Sequence, residues 1–182
     1  MLVVLLDAQT REVDWQPTLA DGRTIQFPFV GQVVMPAGDL SAQIEGSLTP
    51  TGIAFPTFAA LEGYTLRGKF EPGATLTLDL LWRATGTTDQ NWTQFIHLVG
   101  EDGSQSLADG IPRGGAYPTW AWSPDERIAD RWQLTLPTNL PPGEVALKLG
   151  FYRQDTGERM PVTQDGEPVP DNAAPLLTFQ IE

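Results

Sequence analysis

His97 is the chain's one histidine. It stands in Thr93-Gln94-Phe95-Ile96-His97-Leu98 with no cysteine anywhere and no serine motif to work with it. An imidazole moves protons or holds a metal only in company, and no partner stands at a recognisable spacing. The sequence also has no Gly-rich phosphate loop, no Gly-x-Ser-x-Gly elbow and no His-Glu-x-x-His. Residues that bind without reacting are better represented. Arg83, Phe95, His97 and Tyr152, with Asp79 and Lys148, fall on the polar phase of three apolar-alternating segments. If those segments are neighbours in one sheet, the side chains form a patch of rings among hydrogen-bonding groups. Such a patch can hold a sugar, whose apolar face packs on a ring while planar polar groups take its hydroxyls, although an ordinary solvated sheet face with cross-strand ion pairs is the simpler reading. Trp120 and Trp122, in Tyr117-Pro118-Thr119-Trp120-Ala121-Trp122, add a second aromatic group on a long loop. Trp122 is expected to plug the sandwich end and Trp120 to face a ligand or partner.

These residues need strands to position them. Leu76, Leu78, Leu80 and Trp82 alternate with Thr75, Thr77, Asp79 and Arg83, and only Leu81 breaks the period of two. Trp132, Leu134 and Leu136 repeat the pattern, as do Val145, Leu147, Leu149 and Phe151. The expected core is Leu76, Leu78, Leu80, Trp132, Leu134, Val145, Leu147 and Leu149. Ile96 and Leu98 point inward if His97 points out. Pro72-Gly73 and Pro142-Gly143 precede two strands, and Asp102-Gly103, Asp155-Thr156-Gly157 and Asp165-Gly166 turn between others. Sixteen prolines and eighteen glycines spread along the chain leave room for only a turn or two of helix, expected near Ser123-Pro124-Asp125-Glu126. The pattern predicts an all-β protein, an antiparallel β-sandwich of immunoglobulin-like or jelly-roll-like type.

Residues 1–52 read as an additional N-terminal β segment, of edge strands or a small module, and 53–182 as the sandwich. Leu2 to Asp7 and Glu12 to Trp15 suggest a hairpin, and Thr24 to Met35 a strand broken by Pro28 and Gly31. Thr49-Pro50-Thr51-Gly52 is the expected linker. The apolar start Met1 to Leu6 ends at Asp7 and is far short of the about 20 residues of a membrane span, so no membrane insertion is expected. Any signal or membrane part is expected to lie outside this chain.

Eleven Lys and Arg against twenty-three Asp and Glu give a net charge of -12, which repels phosphate backbones; nucleic acid is excluded as a partner. Asp102, Asp109, Asp125, Glu126 and Asp130 surround the aromatic loop, but their spacing matches no EF-hand and a solvated acidic surface is the simpler reading. No metal and no cofactor is expected.

From Gly63 onward, Gly63-Tyr64, Pro72-Gly73, Leu81-Trp82, Phe95-Ile96-His97-Leu98, Asp102-Gly103, Asp109 with Pro112, Tyr117-Pro118-Thr119, Trp122, Asp130, Leu140-Pro141-Pro142-Gly143 and Gly150-Phe151-Tyr152 with Thr156 to Val162 follow one another in order. The series resembles the C-terminal β-sandwich region of bacterial membrane glycosyltransferases of the mannosyltransferase-like type. The resemblance implies a non-catalytic accessory domain, extracellular or at the cell surface, loosely similar to sugar-binding sandwiches. Two functions follow: carbohydrate or glycan binding through Arg83, Phe95, His97, Trp120 and Tyr152, or a structural domain that binds a protein partner or a second copy through its loop and edges.

Overall fold

The computed structural model describes residues 44, 46–103 and 105–181, all within the compact unit Pro36–Glu182. The hairpin and broken strand expected before Met35 lie outside the described residues. Eleven strands are described: β1 (Thr49–Pro50), β2 (Ile53–Phe55), β3 (Ala59–Arg67), β4 (Thr75–Ala84), β5 (Thr93–Gly100), β6 (Gln105–Gly110), β7 (Arg127–Thr135), β8 (Gly143–Tyr152), β9 (Thr163–Gln164), β10 (Glu167–Pro168) and β11 (Ala174–Ile181). They form two antiparallel sheets. One runs β10-β9-β2-β3-β4-β7 with β1 added on β3, and the other runs β11-β8-β5-β6. The protein is an antiparallel β-sandwich, as the period of two requires.

Leu76, Leu78, Leu80 and Trp82 of the larger sheet face Ile96, Leu98, Val145, Leu147, Leu149 and Phe151 of the smaller one, and all are buried. Truncating one of these leucines to alanine costs about 2–5 kcal/mol. One end of the core is aromatic: Phe58 stacks on Trp122 with centroids 5.2 Å apart, and Phe55 meets Phe151 edge-on at 5.0 Å. Such pairs contribute beyond their buried area. The Asp165-Gly166 turn that joins β9 to β10 has both residues at positive φ, 53° and 88°, the backbone of a type I′ hairpin.

Four expectations need correction. Thr49-Pro50 is no linker, because both residues pair with Tyr64 and Gly63 of β3. The described short helical turns lie at Pro112–Gly115, Thr119–Ala121 and Pro170–Asn172, while Ser123 to Glu126 closes an ordinary turn through Glu126 N–H to Ser123 O at 3.0 Å. Trp132 faces inward but is only half-buried, because β7 is the edge of its sheet. Asp79 points away from the core yet is 2% exposed. Arg67 Nη2 at 2.8 Å and Arg131 Nε at 2.6 Å lie across it, so its charge is covered and paired rather than wet.

Candidate functional site

The outer face of the four-stranded sheet carries the principal cluster. Strand register sets Phe95 of β5 against Gly150 of β8 on one side and Asp109 of β6 on the other. The next row in phase sets His97 between Lys148 and Leu107. Gly150 decides the geometry. A Cβ there would lie 2.4 Å from Phe95 Cζ, so only glycine lets the phenyl ring lie down on the neighbouring strand. Phe95 is consequently 1% exposed although it faces away from the core. Over it stand the His97 ring at 4.6 Å, the Tyr152 ring at 6.3 Å and the Arg159 guanidinium at 4.7 Å from its centroid. Arg159 arrives there through its bridge to Tyr152, and its Nη1 donates to Asp171 O at 2.9 Å.

Asp109 ties the top of the cluster together. The Tyr152 hydroxyl donates to its Oδ2 at 3.3 Å, and His97 Nε2 lies 3.6 Å from its Oδ1. Burial pushes the His97 pKa below 6.5. Asp109 opposes that shift and Arg159 reinforces it, so the imidazole is neutral at pH 7. Burial and the Asp109 charge both raise the Tyr152 pKa, which keeps its hydroxyl a donor. The cluster is thus two partly exposed rings with one carboxylate fixed between them.

Beside Asp109 the two sheet edges, β6 and β7, and the loop after β6 border an open cleft of about 480 Å³ lined by Asp109, Gly110, Ile111, Gly114, Gly115, Arg131, Trp132 and Gln133. Gly110 packs on the Trp132 ring, whose Nε1 donates to Asp130 at 2.6 Å. Asp130 also accepts from Arg113 N–H at 2.6 Å. Burial raises its pKa, partly offset by these two hydrogen bonds.

The structure brings His97, Tyr152 and Lys148 together but separates Arg83 from them. The chain crosses from one sheet to the other between β4 and β5, so these successive strands are not neighbours. Arg83 instead meets Glu62 at 3.3 Å and faces Asp125 at 3.8 Å. Phe95 belongs to the cluster as its buried floor, not as a contact surface. Trp120 is 40% exposed on the loop before β7, whereas Trp122 is buried and donates Nε1 to Tyr117 O at 3.3 Å. Thr119 fixes that loop to the start of β5: its hydroxyl accepts from Trp92 N–H at 2.8 Å and donates to Gln90 O at 2.9 Å. The residue opposite Tyr152 is Thr93, so Trp120 follows a threonine anchored at the same sheet end.

The loop carboxylates serve separate purposes. Glu126 accepts from the Tyr117 hydroxyl at 2.8 and 2.9 Å and from Ser123 N–H at 3.0 Å. Among the described residues no three carboxylate, histidine or cysteine side chains are grouped to hold a metal, and no helix is long and apolar enough to cross a membrane. Sequence reasoning passed over Arg159 and Gly150 as members of the site, and weighed Asp109 only as a loop acid. Asp109 had a signal: reflecting β5 about the Asp102-Gly103 turn sets it opposite Phe95.

The sequence matches no family model and no curated protein. Among solved structures the chain is similar to the C-terminal domain of wzt, with a TM-score of 0.50 and 10% identity, over 80% of this chain and 86% of that one. The likeness is one of fold. It places the chain among β-sandwiches of that architecture and assigns no residue a role.

Proposed function

We propose that this sandwich is a non-catalytic, extracytoplasmic accessory module at the cell surface that binds carbohydrate on the outer face of its four-stranded sheet. The carrying observation is the pair of partly exposed rings, His97 and Tyr152, fixed on either side of the Asp109 carboxylate. A pyranose packs its apolar face on such rings while the carboxylate and the tyrosine hydroxyl meet its own hydroxyls. Because Phe95, Gly150 and Asp109 already hold the rings, binding costs little side-chain ordering. The adjoining cleft, about 480 Å³, falls in the range of small-ligand sites and offers Trp132 as a further ring. The resemblance to the sandwiches appended to bacterial membrane glycosyltransferases supports the accessory role and the extracytoplasmic location.

Glycan-array binding of the wild type and of a His97→Ala/Tyr152→Ala double variant tests this reading. Binding is lost in the variant while its thermal transition stays cooperative; unchanged array signals overturn the assignment of the face. Trp120→Ala separates the loop from the face, and lowered affinity without unfolding brings Trp120 into the site. A second reading, self-association, is favoured by Leu107, which is 59% exposed on the edge strand β6. A light-scattering mass above that of the monomer, lost in Leu107→Asp, supports it.

A further inference from the structure

The cations of this acidic protein are not distributed evenly over its acids. Among the described residues, Arg67 and Arg131 share Asp79 at 2.8 and 2.6 Å, while Arg83 and Arg127 share Glu62 at 3.3 and 2.8 Å. Lys69 reaches Glu71 at 3.5 Å and Arg153 reaches Asp155 at 2.7 Å. Lys148 and Arg159 have no such ion pair, and both lie on the His97 face. The one carboxylate of the cluster, Asp109, is engaged by His97 and Tyr152. Among the described residues, this face holds two cations with no carboxylate within ion-pair distance, whereas the cations of the other sheet's outer face share Asp79 and Glu62.

The two cations flank the rings. Lys148 lies in the His97 row, and Arg159 stands over Phe95 in the next row of the same phase. Rows two residues apart along a strand are separated by about 7 Å, roughly the width of one sugar ring. The Arg159 guanidinium lies 4.7 Å above the phenyl ring beneath it, and its one hydrogen bond among the described residues goes to Asp171 O. The guanidinium has five donors in a planar fork, so the remainder can take the paired oxygens of an anion.

We infer that this face selects an acidic saccharide, one whose ring carries an anionic oxygen group, either a uronate carboxylate or a sulfate ester, read by Arg159 and Lys148. The inference rests on the carbohydrate reading of the same face and adds the sign of the ligand's charge. The rings supply affinity for any sugar of suitable shape, and the cations discriminate among them. The net charge of -12 disfavours an acidic glycan at long range, so its selection depends on the local cations Arg159 and Lys148.

The test compares matched ligands by calorimetry at low salt: an oligogalacturonate, its neutral methyl ester, a sulfated oligosaccharide and a neutral manno-oligosaccharide. At least one acidic ligand binds about ten-fold more tightly than its neutral counterpart, the preference shrinks as salt rises, and Lys148→Gln/Arg159→Gln abolishes it. Preference for the uronate or for the sulfated sugar identifies which anion is read. Because Arg159 also covers Phe95, Lys148→Gln alone is measured as well, and it must lose part of the preference with an unchanged melting point. Equal binding of acidic and neutral ligands overturns the charge inference and leaves the carbohydrate reading standing. Absence of binding to all four overturns both.

Discussion

Replacing Gly150 by alanine tests the floor of the site. The new methyl carbon would lie 2.4 and 2.6 Å from Phe95 Cζ and Cε1 and 2.8 Å from Asn172 O. Carbon atoms in ordinary contact stand about 3.5–4 Å apart, so the phenyl ring must rise by about 1 Å or more. It rises into His97, Tyr152 and Arg159, which cover its upper face. The other obstacle is backbone, in the turn Pro170–Asn172 whose Asp171 and Asn172 have φ of 57° and 50°. Inserting a methyl group into a filled space of this kind costs about 1–3 kcal/mol. At about 2–4 °C per kcal/mol, the melting point falls by roughly 2–12 °C. Calorimetry reads that fall, and the single imidazole signal in a proton–carbon spectrum reads the displacement of His97. Phe95→Leu placed in the same chain separates the two obstacles: if the ring is the main one, the pair of changes is less than additive. An unchanged melting point with an unmoved His97 signal would refute the reasoning.

Two further perturbations address ionisation. His97 titrates below 6.5 in the folded protein, and Asp109→Asn lowers it further because the aspartate opposes the effect of burial; a rise in that variant would contradict the geometry. Between its folded pKa and 6.5 the unfolded chain binds more protons, so the histidine's contribution to stability is full above 6.5 and is lost as pH falls through that window. Asp130 has the opposite sign, since its folded pKa is raised above 3.8 and the ionised form is penalised. Its contribution declines as pH rises from 3.8 through the folded value, so Asp130→Asn gains stability relative to the wild type across that window. Urea midpoints of both proteins between about pH 3 and pH 7 give the difference, and a pH-independent difference refutes the assignment.

Alternation is a local property, and what it determines was legible. Leu76, Leu78 and Leu80, or Val145, Leu147 and Leu149, can face only one way on a pleated strand, and all are buried. The same pattern says nothing about which sheet a strand joins. Thr75 to Ala84 and Thr93 to Gly100 read alike, yet they lie in opposite sheets, and that crossing removes Arg83 from His97. Burial of outward residues was illegible for a related reason. Phe95 lies flat because a partner strand has glycine at one register position, and Asp79 is covered because β3 and β7 each send an arginine across it. Both depend on side chains far away in sequence. Trp122 was easier, since an aromatic loop near a sandwich end has few places to put a large apolar ring except the core.

The connection between β6 and β7 is fastened at three kinds of anchor: Arg113 N–H on the buried Asp130, Ser123 N–H on Glu126, and the Thr119 hydroxyl between Trp92 and Gln90. A long surface segment ordinarily exchanges its amide hydrogens through small local openings that leave the rest of the fold intact. Here the amides of Arg113, Ser123 and Trp92 are released only when a buried acceptor lets go, and Trp122 must leave the core with them. Their exchange therefore follows that of the strands on either side, and the crossover melts with the sandwich as one cooperative unit.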